Sequence, residues 1–417
     1  MEVRQTHNLS GFFIKAYAAL ADTLALRLKF RRFAKKVLGD NYSLAEETRL
    51  ALRVARELKN PFYTLVQGKL RHLYPIEEGP GRLDALGRGG NLVLGTRIGD
   101  TRNLVPANGP VGYPHLWGTT SFDWVQWNGS IQQPMARNIG EALGVNALIT
   151  LRGNPADIFQ STVNVQNLAL LEKKLEKLEA PRWPENVLGP IDREMANRGE
   201  VLYKHHCAAC HESKPLPPNE FGKVFLRIIM TRLDVIGTDP TSAVNFNQRL
   251  VHTGQLSQPP IGLPPVITAA TALEEVTRQV TKRKYAELNI PSEMQNEMNG
   301  WRENKIRAPL AYRARNMDGI WATAPYLHNN SVPNLYQLLL PAAERDAMFY
   351  VGSSEYDPKA VGFQTGFFEG GFKFRTNITG NSNAGHEFRD GPRVKGVIGP
   401  LLTEAERWAI VEYLKTR

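Results

Sequence analysis

The chain opens on a helical pattern. Between residues 10 and 60 apolar side chains return at helical spacing, with Leu20, Leu24, Leu26 and Leu28 in one segment and Leu50, Leu52, Val54 and Leu58 in a second. Ser43, three residues before Glu46, predicts a capping box for the second segment, and Asn60-Pro61 predicts its stop. The first segment carries Lys15, Asp22, Arg27 and Lys29, so it reads as amphipathic, and no transmembrane segment is expected. The basic run from Lys29 to Lys36 reads as a solvated face. Residues 79–130 lose the periodicity, and their Gly-Pro and Asn-Gly clusters predict a loop-rich region. Pro134 opens another helix through Leu143, and residues 166–179 form a charged helix that Ala180–Pro190 breaks. Asp192 to Tyr203 then shows helical spacing. At the far end Thr403 and Glu406 predict a second capping box, opening a helix whose Ala409, Ile410, Tyr413 and Leu414 share one face.

These elements predict a mainly α fold. The Pro-rich break places a domain boundary near residues 185–190, dividing the chain into a helical, loop-rich N-terminal domain (1–185) and a C-terminal domain (190–417). A length of 417 residues fits two or three domains.

The chemistry concentrates at Cys207-Ala208-Ala209-Cys210-His211, which holds the only two cysteines of the chain. C-x-x-C-H reads as a c-type haem attachment site. Two thiols on one turn add to the two vinyl groups of a porphyrin, and the following imidazole faces the iron as proximal ligand. A zinc site would need further nitrogen or sulfur ligands, and a thioredoxin-like pair would follow a strand; neither context is present. A helix ending in this motif, with Gly199 allowing close approach to Tyr413 of the last helix, is the arrangement of a cytochrome c. The stretch from 212 to 398 must then carry long insertions.

Composition adds a location and a partner. The net charge of +10 fits an acidic redox partner, with Lys204, Lys214 and Lys223 as a positive rim, while nucleic acid is disfavoured because no long basic run or known binding motif occurs. Haem c is attached after export, so a periplasmic or otherwise extracytoplasmic location is expected. Met1 to His7 has no apolar core of a signal peptide, which predicts that an export signal lies outside this chain.

The second iron ligand decides function, because a strong one favours electron transfer and an open position favours oxygen chemistry. His252, His328, His386 and the methionines at 230, 294, 298, 317 and 348 are available. His386, in the Gly380-Asn-Ser-Asn-Ala-Gly385 loop, is the preferred ligand and His328 the alternative. Trp117, Trp124 and Trp127 fall within eleven residues, and read either as an aromatic core beneath a loop or as the wall of a pocket.

Several motifs together resemble the di-haem cytochrome c peroxidase superfamily, in its branch of rubber oxygenases and fatty-acid dioxygenases. They are Cys207 to His211, Thr323-Ala-Pro-Tyr-Leu-His-Asn-Asn-Ser-Val-Pro-Asn-Leu335, Phe349 to Gly352 with Glu355 to Phe363, Gly380 to His386, and Pro114 to Asn128 with Pro134 to Asn138. The resemblance implies a distal ligand late in the chain, which supports His386, and places His328 near the haem without ligating it. It also implies a second haem in the N-terminal domain, facing Trp117 and its neighbours, and admits an interdomain calcium. The chain departs from the pattern there: Val3-Arg4-Gln5-Thr6-His7 keeps a histidine without the cysteines, so the N-terminal domain reads as a degenerate or incomplete haem domain. Three functions follow: an electron-carrying cytochrome with one covalent haem, a peroxidase or dioxygenase acting on an apolar substrate, or a non-catalytic relic that binds a partner.

Overall fold

The structure is a computed structural model that describes residues 9–58 and 72–417. Three helices, α1 (Leu9–Ala25), α2 (Arg27–Leu38) and α3 (Leu44–Leu58), begin the described chain. The first predicted segment is split because Leu24, Leu26 and Leu28 repeat every two residues and cannot share a helix face. Leu26 is extended, and it and Leu28 stay exposed while Phe30, Ala34 and Leu50 are buried together. Arg32, Lys35 and Lys36 are exposed, as expected of a solvated face. Ser43 Oγ accepts from the Glu46 amide at 3.2 Å, capping α3.

Beyond residue 72 the chain is mainly helical, and among the described residues strands pair only two by two. The helices that matter below are α4 (Pro134–Gly144), α5 (Val165–Leu175), α6 (Arg193–His206), the single turn α7 (Ala208–His211), α8 (Ala269–Glu287) and α9 (Glu404–Lys415). One core gathers Met135, Ile139 and Leu143 of α4, Val165 of α5, and Val276 and Val280 of α8. It therefore joins residues from both sides of the Pro-rich stretch at 180–190. A second core gathers Ala196 and Tyr203 of α6, Trp321, Tyr326, Leu335 and Phe388, and Ile410 and Tyr413 of α9.

The α6–α9 pair frames the C-x-x-C-H turn. Asp192 caps α6 by accepting from the Met195 amide at 2.9 Å, and its own amide donates to Glu412 of α9 at 2.8 Å. Thr403 and Glu406 form the full capping box of α9. The rings of Tyr203 and Tyr413 meet at 5.1 Å, beside Gly199. The strand pair β1 (Ile229–Arg232) and β2 (Ala311–Ala314) runs antiparallel, with Met230 opposite Arg313, and delivers Arg315 to the site.

Candidate haem site

The cysteine turn follows α6 directly, with Cys207 as the hinge between α6 and α7. The Cys207 amide donates to Tyr203 O at 2.8 Å, and the His211 amide donates to Cys207 O at 3.0 Å. Both thiols are free, with Cys210 exposed and Cys207 half-buried. Burial pushes the Cys207 thiol up to about 12, and the neighbouring Cys210 adds to this.

His211 is oriented by the main chain. Its Nδ1 lies 2.7 Å from the carbonyl oxygen of Arg315. That contact places the proton on Nδ1 and leaves Nε2 bare, the form in which an imidazole can bind a metal. Burial holds the imidazole below its usual pKa, which favours the neutral form that binds metal.

His386 comes from 175 residues away in sequence to stand against it. The two ring centroids are 6.0 Å apart, with ring planes at 76°. An imidazole nitrogen binds a first-row metal at about 2 Å. Two such bonds and half a ring on either side fill about 6 Å. Nδ1 of His386 is buried with no hydrogen-bond partner, and burial together with His211 and Arg345 pushes its pKa down to about 3. A pair of neutral imidazoles at this separation, next to two free thiols, fits a covalently held haem.

The His386 loop is fixed from three sides. Its amide donates to Ile236 O at 3.0 Å. Gly385 has no room for a side chain, since a Cβ there would stand 2.4 Å from Ile236 O. The buried Arg345 guanidinium donates to the carbonyls of Asn383, Gly385 and His386. A second buried guanidinium, Arg82, binds Asn329 O at 3.0 Å and Asn381 Oδ1 at 2.7 Å. Neither arginine stands out in the sequence, because their acceptors are mostly peptide oxygens from distant segments.

His328 sits elsewhere. It is buried, stacked on Tyr312 at 3.9 Å and edge-on to Trp127 at 6.5 Å, and burial pushes its pKa down to about 4. Met294 and Met348 are exposed, whereas Met298 and Met317 are buried in opposite cores. Among the described residues, neither these nor His252 makes a hydrogen bond or ring contact with His211.

The three tryptophans belong to three different clusters. Trp117 stacks on His115 at 4.6 Å and donates to Asp318 O; Trp124 packs against the first core beneath the Arg307 guanidinium; Trp127 is buried with Leu233, Ala243 and Tyr312. Of the three, Trp127 is linked to the histidine pair: the Arg315 guanidinium lies 4.9 Å from its ring centroid, and the Arg315 carbonyl holds His211. Val3 to His7 lie outside the described residues.

Lys204, Lys214 and Lys223 are exposed. Lys204 pairs with Glu200 at 2.8 Å, and Lys223 lies over Trp301 at 5.0 Å. Among the described residues no helix is long and apolar enough to cross a membrane.

Residues 311–350 match a family model described as "RoxA-like, cytochrome c-like". That stretch contains β2, the Arg315 carbonyl, His328 and Arg345. The chain is 40% identical over 435 residues to "Uncharacterized protein y4iJ" of Sinorhizobium fredii, covering 97% of this chain and 71% of that one. It is 29% identical over 319 residues to "Uncharacterized protein y4iM" of the same organism, covering 73% and 64% respectively. A haem-binding cytochrome c-like segment is thus indicated by the family match, and the chain belongs to the family of the Sinorhizobium protein y4iJ.

Proposed function

We propose that this chain is a c-type cytochrome that carries electrons through one covalent haem, held by Cys207, Cys210 and His211 with His386 as the second iron ligand. The observation that carries this reading is the 6.0 Å separation of the two imidazoles. Haem would supply a one-electron couple at this site. Cys207 and Cys210 would hold the porphyrin by thioethers. His211, its proton held on Nδ1 by the Arg315 carbonyl, and His386 would both hold the iron, a strong ligand pair that favours electron transfer over oxygen chemistry. The exposed Lys204, Lys214 and Lys223 would orient an acidic redox partner at this face. Haem attachment by this motif takes place outside the cytoplasm, so an extracytoplasmic location belongs to the same reading.

A second reading makes the chain a peroxidase or dioxygenase of an apolar substrate, such as an unsaturated fatty acid or polyisoprene, with a second haem in the N-terminal domain. It is favoured by the aromatic run of Trp127, His328 and Tyr312, which leads from the strand behind His211 toward residues 112–128.

Absorption spectroscopy of the haem-loaded protein, with a pyridine haemochrome count, separates the two. One low-spin haem per chain, unmoved by carbon monoxide, is expected of the carrier. Two haems, or one that binds carbon monoxide, would replace it with the enzyme reading. Colourless protein of bare-chain mass, from a host competent in cytochrome maturation, would sink both.

A further inference from the structure

The loop that carries His386 has no helix of its own to hold it. His386 adopts φ +46°, a region that residues with a side chain seldom occupy, and Gly385 before it adopts φ +74°. Such a conformation persists only where the surroundings over-determine it. The strongest of these constraints is Arg345, buried at 4% exposure.

The guanidinium of Arg345 reaches five peptide carbonyls. Nη1 donates to Asn383 O at 2.6 Å and Gly385 O at 2.9 Å; Nη2 donates to His386 O at 2.8 Å, Leu340 O at 3.1 Å and Leu338 O at 3.3 Å. The acceptors fall into two groups. Leu338 ends the short Leu335–Leu338 helix and Leu340 follows its C-cap, a segment anchored by Leu335 and Leu339, which are almost wholly buried in the second core. Asn383, Gly385 and His386 belong to the loop. The planar fork therefore ties the loop to a rigid turn, and its fixed donor directions determine how the loop sits. Among the described residues no carboxylate bonds directly to this guanidinium; Glu387 accepts from the Ala342 amide.

We propose that Arg345 is the positioning residue that presents His386 to the haem iron, by fastening the peptide oxygens around that histidine to the buried 338–340 turn. This rests on His386 being the axial ligand. Without the guanidinium the loop is free to leave its positive-φ conformation, and the iron then loses its second imidazole while the C-x-x-C-H turn, on α6 and α7, stays in place.

The test uses the full, haem-loaded chain as wild type, Arg345→Met, Arg345→Lys and His386→Ala, reading the ferric spin state and the affinity for added imidazole. Arg345→Met should shift toward high-spin and bind imidazole about tenfold more tightly than wild type, with the low-spin spectrum restored at saturation. Arg345→Lys, with three donors for five carbonyls, should fall between them. A merely structural arginine would lower the melting temperature and leave both readouts of the folded protein unchanged, and that result would overturn the proposal. If Arg345→Met does not accumulate, Arg345→Lys decides by the same two readouts. A low-spin His386→Ala would remove the ligand assignment and this proposal with it. A high-spin His386→Ala beside two unaltered Arg345 variants would remove this proposal alone.

Discussion

Gly199 of α6 lies so close to Ala409 of α9 that a Cβ on it would stand 1.9 Å from the Ala409 carbonyl oxygen and 2.5 Å from its carbonyl carbon. Both obstacles are backbone, so no side chain can turn aside. Gly199→Ala must separate the two helices and is expected to cost about 1–3 kcal/mol or more. Denaturant unfolding of the haem-loaded protein should show a lowered midpoint, and an unmoved midpoint would contradict this packing.

Arg137 of α4 and Glu172 of α5 form a buried ion pair, with Asn138 donating to the same carboxylate at 3.1 Å. Removing one partner leaves the other charged and without its counter-ion. Glu172→Ala should therefore cost about 3–5 kcal/mol, while Arg137→Met with Glu172→Leu should recover most of that loss. The double variant's melting curve decides: stability no better than the single variant would show that packing, rather than the stranded charge, sets the cost.

The two candidate ligand histidines should separate cleanly. His386→Ala is expected to turn the ferric spectrum toward high-spin. His328→Ala removes a buried ring stacked on Tyr312 and should cost about 2–5 kcal/mol of stability without changing the spin state. The reverse pattern of spectra would transfer the axial role to His328.

Asp84 accepts from the amides of Gly87 at 2.8 Å and Gly109 at 2.9 Å, yet burial outweighs these bonds and pushes its carboxyl up to about 6. A raised acid binds its proton more tightly in the folded than in the unfolded chain between about pH 4 and 6. Its contribution to stability is therefore greatest at the acid end and declines as pH rises through that window, by up to about 1.4 kcal/mol per pH unit. Asp84→Asn should abolish this component. Urea midpoints of the two proteins across the window test it, and parallel profiles would exclude the shift.

What could be read in the sequence was whatever depends on near neighbours. Cys207, Cys210 and His211 act through spacing within one turn, Thr403 and Glu406 through a three-residue offset, and Gly199 through its place on a helix face. His386 was singled out by its glycine- and asparagine-rich loop, and the structure sets it opposite His211. Arg345, Arg82 and the Arg315 carbonyl left no trace, because peptide oxygens have no residue signature and their partners lie far along the chain. Neighbours in sequence can also part in space. Positive-φ turns at Gly118 and Gln126 redirect the chain between Trp117, Trp124 and Trp127, which end in three clusters. The break at Leu26 between α1 and α2 was missed: Leu20 to Leu28 reads as one helical segment, although Leu24, Leu26 and Leu28 cannot share a helix face.

The acceptor that orients His211 belongs to the peptide unit of residue 315 and not to its side chain. A substitution at that position keeps the acceptor atom itself, although it replaces a buried side chain packed over Trp127. A one-residue insertion or deletion between 302 and 314 is another matter: it would slide Ala311–Ala314 along its partner strand and carry a different oxygen to the histidine. The length of this segment, through the strand register, thus sets which carbonyl meets His211.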